Sequence, residues 1–201
     1  MSILLMPRLV SPACLCGVLV AATIAVLPAP SSITWAAGKT EVCGKGLPKP
    51  LNALLQHTYP GYQLTSLAML TDVGQEIYSQ DSKSRCPGVA KVRFFNKGRV
   101  DYALVIITRA DHAHPYNSIY DLVVAREGDD RSWNLTILEK DVHATPPAVL
   151  TLPPGKYTGE RDQQPYTLES ATEVVFVVKY EAWSRVYILT ANGIEKVWLS
   201  D

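Results

Sequence analysis

Three patterns of apolar residues follow one another along this chain. The first is a nearly continuous apolar run from Leu9 to Leu27, interrupted by Ser11, Pro12 and small residues. The second begins at Leu47, where Leu51, Leu54 and Leu55 recur at helical spacing. Pro48 and Pro50 suit the first turn of that helix, and Pro60-Gly61 stops it. A shorter helix is expected from Asp72, whose carboxylate would cap it with Gln75 three residues on. Val73 and Ile77 would then face inward, while Gly74 works against the helix.

The third pattern, after Cys86-Pro87-Gly88, is that of strands. Ala90, Val92 and Phe94 alternate with Lys91, Arg93 and Phe95, as in a half-buried strand. Tyr102 to Ile107 is apolar without alternation and reads as a central strand covered on both faces. Ile119 to Arg126 and Trp133 to Leu138 follow, joined through Gly128-Asp129-Asp130. Pro146-Pro147 and Pro153-Pro154-Gly155 punctuate a looser stretch. Three closing strands run Val174 to Tyr180, Arg185 to Thr190 and Ile194 to Leu199, the last two joined by Asn192-Gly193, a strong hairpin signal. The expected fold is α+β: one antiparallel meander of about seven strands with one or two N-terminal helices.

Charge divides the chain. Residues 1–37 carry a single charged side chain, Arg8, ahead of the apolar run. Pro28, Pro30, Ser31 and Ser32 then break any helix, and Thr34, Ala36 and Ala37 supply small side chains. Basic start, apolar middle and small-residue end form the layout of a signal peptide, cleaved after Ala36 or Ala37. An uncleaved anchor is the alternative, since the run is just long enough to span a bilayer. Cys14 and Cys16 sit too early in the run for a lipoprotein site. The expected organisation is therefore a leader over 1–37 and a single domain over 38–201, periplasmic or secreted, with no stable membrane insertion after cleavage. Lys plus Arg and Asp plus Glu number 19 each, so no charge excess points to nucleic acid or anionic lipid. The 47% hydrophobic content is inflated by the leader.

Cys43 and Cys86 remain after the leader, and an even pair in an exported domain reads as a disulfide. Two independent buried thiols are the alternative; no His or Asn pattern frames a catalytic thiol.

The stretch from Cys86-Pro87-Gly88-Val89 through Asp101-Tyr102-Ala103-Leu104, with the closing Val197-Trp198-Leu199-Ser200-Asp201, resembles secreted bacterial proteins related to FG-GAP/VCBS-type modules. The likeness covers most of residues 84–201. In those modules a loop of the form D-F-D-G-D-G-x-x-D-Y-A binds calcium through closely spaced carboxylates. Here Arg93, Phe95 and Lys97 stand where three acids would, so the resemblance implies a hairpin whose calcium role is lost. Gly98 is expected to keep the turn through a positive φ, and Asp101 remains as an acid.

Candidate chemistry is sparse. Asp111-His112-Ala113-His114 holds metal-ligand residue types, and His112 and His114 at i and i+2 could share a zinc with a third ligand such as His143. A polar loop between strands is the preferred account of them, since Pro115 and Asn117 imply an exposed loop, and no metal or other cofactor is assigned. A glycosidase needs two carboxylates flanking a sugar, but Glu127, Glu139, Glu160, Glu169, Glu173 and Glu181 are all candidates and none stands out. Glu173 and Glu181 read as solvated strand ends. Serine-nucleophile and phosphate-loop signatures are absent from the sequence. Asn134-Leu135-Thr136 fits a glycosylation sequon that matters only in a eukaryotic secretory route.

Aromatic residues gather in the C-terminal third: Tyr157, Tyr166, Tyr180, Trp183, Tyr187 and Trp198. Strand alternation puts Trp183, Arg185 and Tyr187 on one face, a composition found at recognition sites, although core packing over the helices is the favoured account of these side chains. The sequence thus favours a non-catalytic exported module binding a protein or an envelope component such as a glycan. A small secreted hydrolase acting through an unidentified carboxylate pair is the alternative.

Overall fold

The computed structural model describes residues 43–82, 84–111 and 113–200. The expected leader over 1–37 and His112 lie outside the described residues. No helix among the described residues is long and apolar enough to cross a membrane.

A 3-10 turn at Cys43–Gly46 leads into α1 (Lys49–Thr58), which carries a proline in its first turn. Leu51 and Leu55 are fully buried, as the helical spacing predicts. The Cys43–Cys86 disulfide is present and ties the turn before α1 to the chain just ahead of the first long hairpin. The second helix, α2 (Asp72–Asp81), also forms, but its cap and inner face differ from expectation. Thr71 caps it, its hydroxyl accepting the Gly74 N–H at 3.1 Å. Val73 is 44% exposed, whereas Gly74 and Tyr78 face inward. A Cβ on Gly74 would lie 3.0 Å from the capping Thr71 hydroxyl and 3.4 Å from Leu70 and the Tyr180 ring, so the residue that weakens the helix locally sits at a crowded point.

The strands form two antiparallel sheets rather than one meander of seven. The first contains β1 (Gln63–Leu64), β2 (Val89–Val92), β3 (Asp101–Arg109), β4 (Ile119–Glu127) and β5 (Trp133–His143). β3, β4 and β5 follow in order, and β1 and β2 share the other edge of β3. The second contains β6 (Ala148–Leu152), β7 (Gly155–Arg161), β8 (Gln164–Ser170), β9 (Val174–Lys179), β10 (Trp183–Thr190) and β11 (Gly193–Ser200), in the order β6-β9-β10-β11-β7-β8. The stretch expected to be loose therefore holds β6, β7 and β8. Its β7–β8 turn was hidden because Asp162 and Gln163 supply both positive φ values, 53° and 63°, without a glycine. At the β10–β11 turn the positive φ falls on Gly193 (114°).

The inner faces pack against each other, Val105, Leu122 and Val124 of the first sheet meeting Val149, Val175 and Val177 of the second. α1 covers the outer face of the first sheet through Leu104, Ile106 and Val123. On the second sheet's outer face, α2 covers Ala148 and Val178, and the β7–β8 hairpin folds Tyr157 and Leu168 over Val186, Ile188 and Val197. The two sheets meet where the Val149 N–H donates to Pro87 O at 2.7 Å and the Thr151 hydroxyl to Lys91 O at 2.8 Å.

Candidate functional site

Trp183, Arg185 and Tyr187 do share one face of β10, and it is the face turned toward the first sheet. Arg185 and Tyr187 are buried, at 5% and 3% exposure, and Trp183 is half-buried. The Arg185 guanidinium lies 4.3 Å from the Trp183 ring centroid and 4.9 Å from that of Trp198, which sits opposite it on β11. Its charge is met by Glu139 of β5: Arg185 Nη2 donates to Glu139 Oε2, and Lys196 Nζ lies 3.2 Å from Glu139 Oε1. Glu139 is thus the glutamate that folding singles out from the six, and cations of the protein itself engage both its oxygens. Burial pushes the Tyr120 phenol up to about 12, Arg185 drawing it down and Glu139 raising it. Burial likewise raises Tyr187. Both phenols stay protonated at neutral pH, so this cluster offers neither a free base nor a nucleophile. Its arrangement joins the two sheets through one buried charge pair wrapped in aromatic rings.

The remaining glutamates divide into two sets. Glu127, Glu160 and Glu169 are exposed. Glu181 is exposed and Glu173 partly so, and Glu173 also accepts the Arg93 N–H at 2.6 Å and pairs with its guanidinium at 3.0 Å. Glu181 accepts the Thr71 hydroxyl at 3.2 Å. Both tie distant loops together.

The loop after β2, where the calcium-type sequence would lie, is organised by Asp101. Its Oδ2 accepts the N–H groups of Phe94 at 3.0 Å and Phe95 at 2.9 Å. Burial raises its carboxyl above the ordinary range, partly offset by those two donors and by Arg126. Gly98 does not have the expected positive φ. Instead the Asn96 side chain accepts the Gly98 N–H at 2.8 Å and makes the turn, so no left-handed residue is needed.

An open recess lies at the end of the first sheet. Ile119 of β4 is paired with Arg109 on one side and His143 on the other, so strand register brings those two residues to one end of the sheet. With Ala110, Asp111, Tyr116 and Asn117 they line an open groove of about 630 Å³. Asp111 is the groove's scaffold. Its Oδ1 accepts the His114 N–H at 2.8 Å and the Ala113 N–H at 3.0 Å, and its Oδ2 the Asn117 amide at 3.4 Å. The His114 N–H leads the interactions that hold its carboxyl below the usual range. The His114 ring sits edge-on to Tyr116 at 5.7 Å.

Of the histidines weighed for zinc, His114 is anchored beside Asp111 and His143 reaches the same groove. Among the described residues no group of three His, Cys, Asp or Glu is arranged to hold a metal. Arg109, Tyr116 and Asn117 carried no sequence signal as site residues. Asp111, Pro115 and Asn117 mark a turn, but a turn does not say which strand ends it will meet. The chain matches no protein-family model, no curated protein and no solved structure.

Proposed function

We propose that this chain is a non-catalytic binding module, exported to the periplasm or beyond, which recognises a protein or cell-envelope component at the groove formed by Arg109, Asp111, Tyr116, Asn117 and His143. The observation carrying this reading is the groove itself. It is a recess of about 630 Å³ between two strand ends and the β3–β4 loop, lined by an exposed guanidinium, an imidazole, an amide and a phenol. The export leader and the oxidised Cys43–Cys86 pair support an extracytoplasmic setting. The FG-GAP/VCBS-like stretch supports the same setting through its resemblance to secreted proteins.

The hydrolase alternative draws less support. Glu139, the glutamate in the most enclosed position, is held by Arg185 and Lys196 inside the sheet packing. Affinity capture with the tagged exported protein tests the reading. One envelope component should be retained by the native protein and lost with Tyr116→Ala and Arg109→Gln. Failure to capture any component, together with turnover in a broad hydrolase screen, would overturn it.

A further inference from the structure

Charge bookkeeping inside the groove narrows the chemistry of its ligand. Asp111 is the groove's acid, and its oxygens are already engaged by two backbone N–H groups and the Asn117 amide, with His114 Nδ1 3.9 Å away. Arg109 is the opposite case. It is exposed, and among the described residues its side chain makes no hydrogen bond or ion pair. The His143 side chain, also in the lining, is likewise exposed and without such a partner among the described residues. A guanidinium is permanently charged, with planar donors that match a carboxylate in bidentate fashion. The groove therefore holds a guanidinium whose donors are unused among the described residues, beside a carboxylate whose oxygens are already engaged.

The rest of the lining describes the body of the ligand. Four of the six lining side chains are polar, and the exposed Tyr116, 60% accessible, adds one aromatic face. That composition suits a hydroxyl-bearing ring more than an aliphatic chain. Resting on the binding role proposed above, we infer that the groove takes the carboxylate of a small polyhydroxylated acid of the sugar-acid type, with Arg109 as the anchor and Asn117, His143 and Tyr116 contacting its hydroxyls. A carboxylate suits the site better than a phosphate monoester. A carboxylate matches the guanidinium fork with a single negative charge, whereas a phosphate monoester would bring about 1.5 to 2 negative charges beside the Asp111 carboxylate.

Titration calorimetry and nuclear magnetic resonance shift mapping on the exported protein, with glucuronate as the probe, decide the matter. Glucuronate should shift groove resonances, and glucose should not. Loss of the Arg109 charge-assisted hydrogen bonds in Arg109→Gln should weaken binding roughly tenfold or more. Lys156→Gln, an exposed change on β7, should leave it unaltered. Equal binding of glucose, undiminished binding by Arg109→Gln, tighter binding of glucose 6-phosphate, or tighter binding of an acidic peptide would each overturn the inference. If glucuronate fails while affinity capture still returns a component lost with Tyr116→Ala, the binding role stands and only the ligand class falls. If both fail, both fall.

Discussion

Replacing Glu139 with alanine removes the carboxylate that answers Arg185 between the two sheets. The Arg185 side chain is 6% exposed and that of Glu139 is 14% exposed, so the guanidinium would stay in a nearly dry site without a counter-charge. Removing one partner of a buried pair costs about 3–5 kcal/mol, much of it the penalty for the stranded ion. The faces of Trp183 and Trp198 still contact the guanidinium, which places the expected loss near the lower end, at about 3 kcal/mol. For a domain of this size each kcal/mol lowers Tm by about 2–4 °C, so a fall of about 6–12 °C is expected. Lys196, whose side chain is 40% exposed, provides the internal contrast. Lys196→Ala should cost less than about 1 kcal/mol, as exposed pairs do. Urea unfolding followed by tryptophan fluorescence measures both, because two of the reporting indoles flank Arg185. The double change Glu139→Leu with Arg185→Met removes both charges and should recover much of the loss. If Glu139→Ala costs no more than Lys196→Ala, the pair is not acting as a desolvated unit and the reasoning fails.

Three further outcomes are expected. The Cys43–Cys86 bridge closes a segment of sequence separation 43, which in the chain-entropy treatment stabilises the fold by about 4 kcal/mol. Urea midpoints with and without reductant should therefore separate clearly, and coincident curves would count against the bridge. Gly88 sits where β1 and β2 both meet β3, and a Cβ there would lie 2.5 Å from the Thr65 nitrogen. Gly88→Ala should cost about 1–3 kcal/mol from overpacking, read as a lowered urea midpoint with an unchanged far-ultraviolet spectrum. Asp101 has a folded-state pKa raised by burial. The native state then holds its proton to higher pH than the unfolded chain, so this group's contribution is most favourable at low pH and is lost as pH rises through the folded value. Asp101→Asn should gain stability relative to the native protein across that rise, and a constant difference between the two would refute the assignment.

The sequence by itself determined what depends on near neighbours. Leu51 and Leu55 declare one face of α1 by spacing alone, and Asn192-Gly193 marks a hairpin because the chain reverses within a few residues. The Cys43–Cys86 pairing was legible because few cysteines remained to choose from. The inner face of α2 was not legible, since Gly74 is set against the Thr71 cap, Leu70 and the distant Tyr180 ring only once the chain has folded. The β7–β8 hairpin escaped notice because Asp162 and Gln163 take on left-handed conformations that their residue types do not advertise. The alternation of Trp183, Arg185 and Tyr187 was visible, but alternation names a face without saying what that face meets. Only the apposition of the two sheets set Glu139 against Arg185, 46 residues away in sequence. The same limit applies to the groove. Arg109 and His143 reach one end of the first sheet because each is paired with Ile119, and strand register across three strands is a property of the folded sheet rather than of any local run of residues.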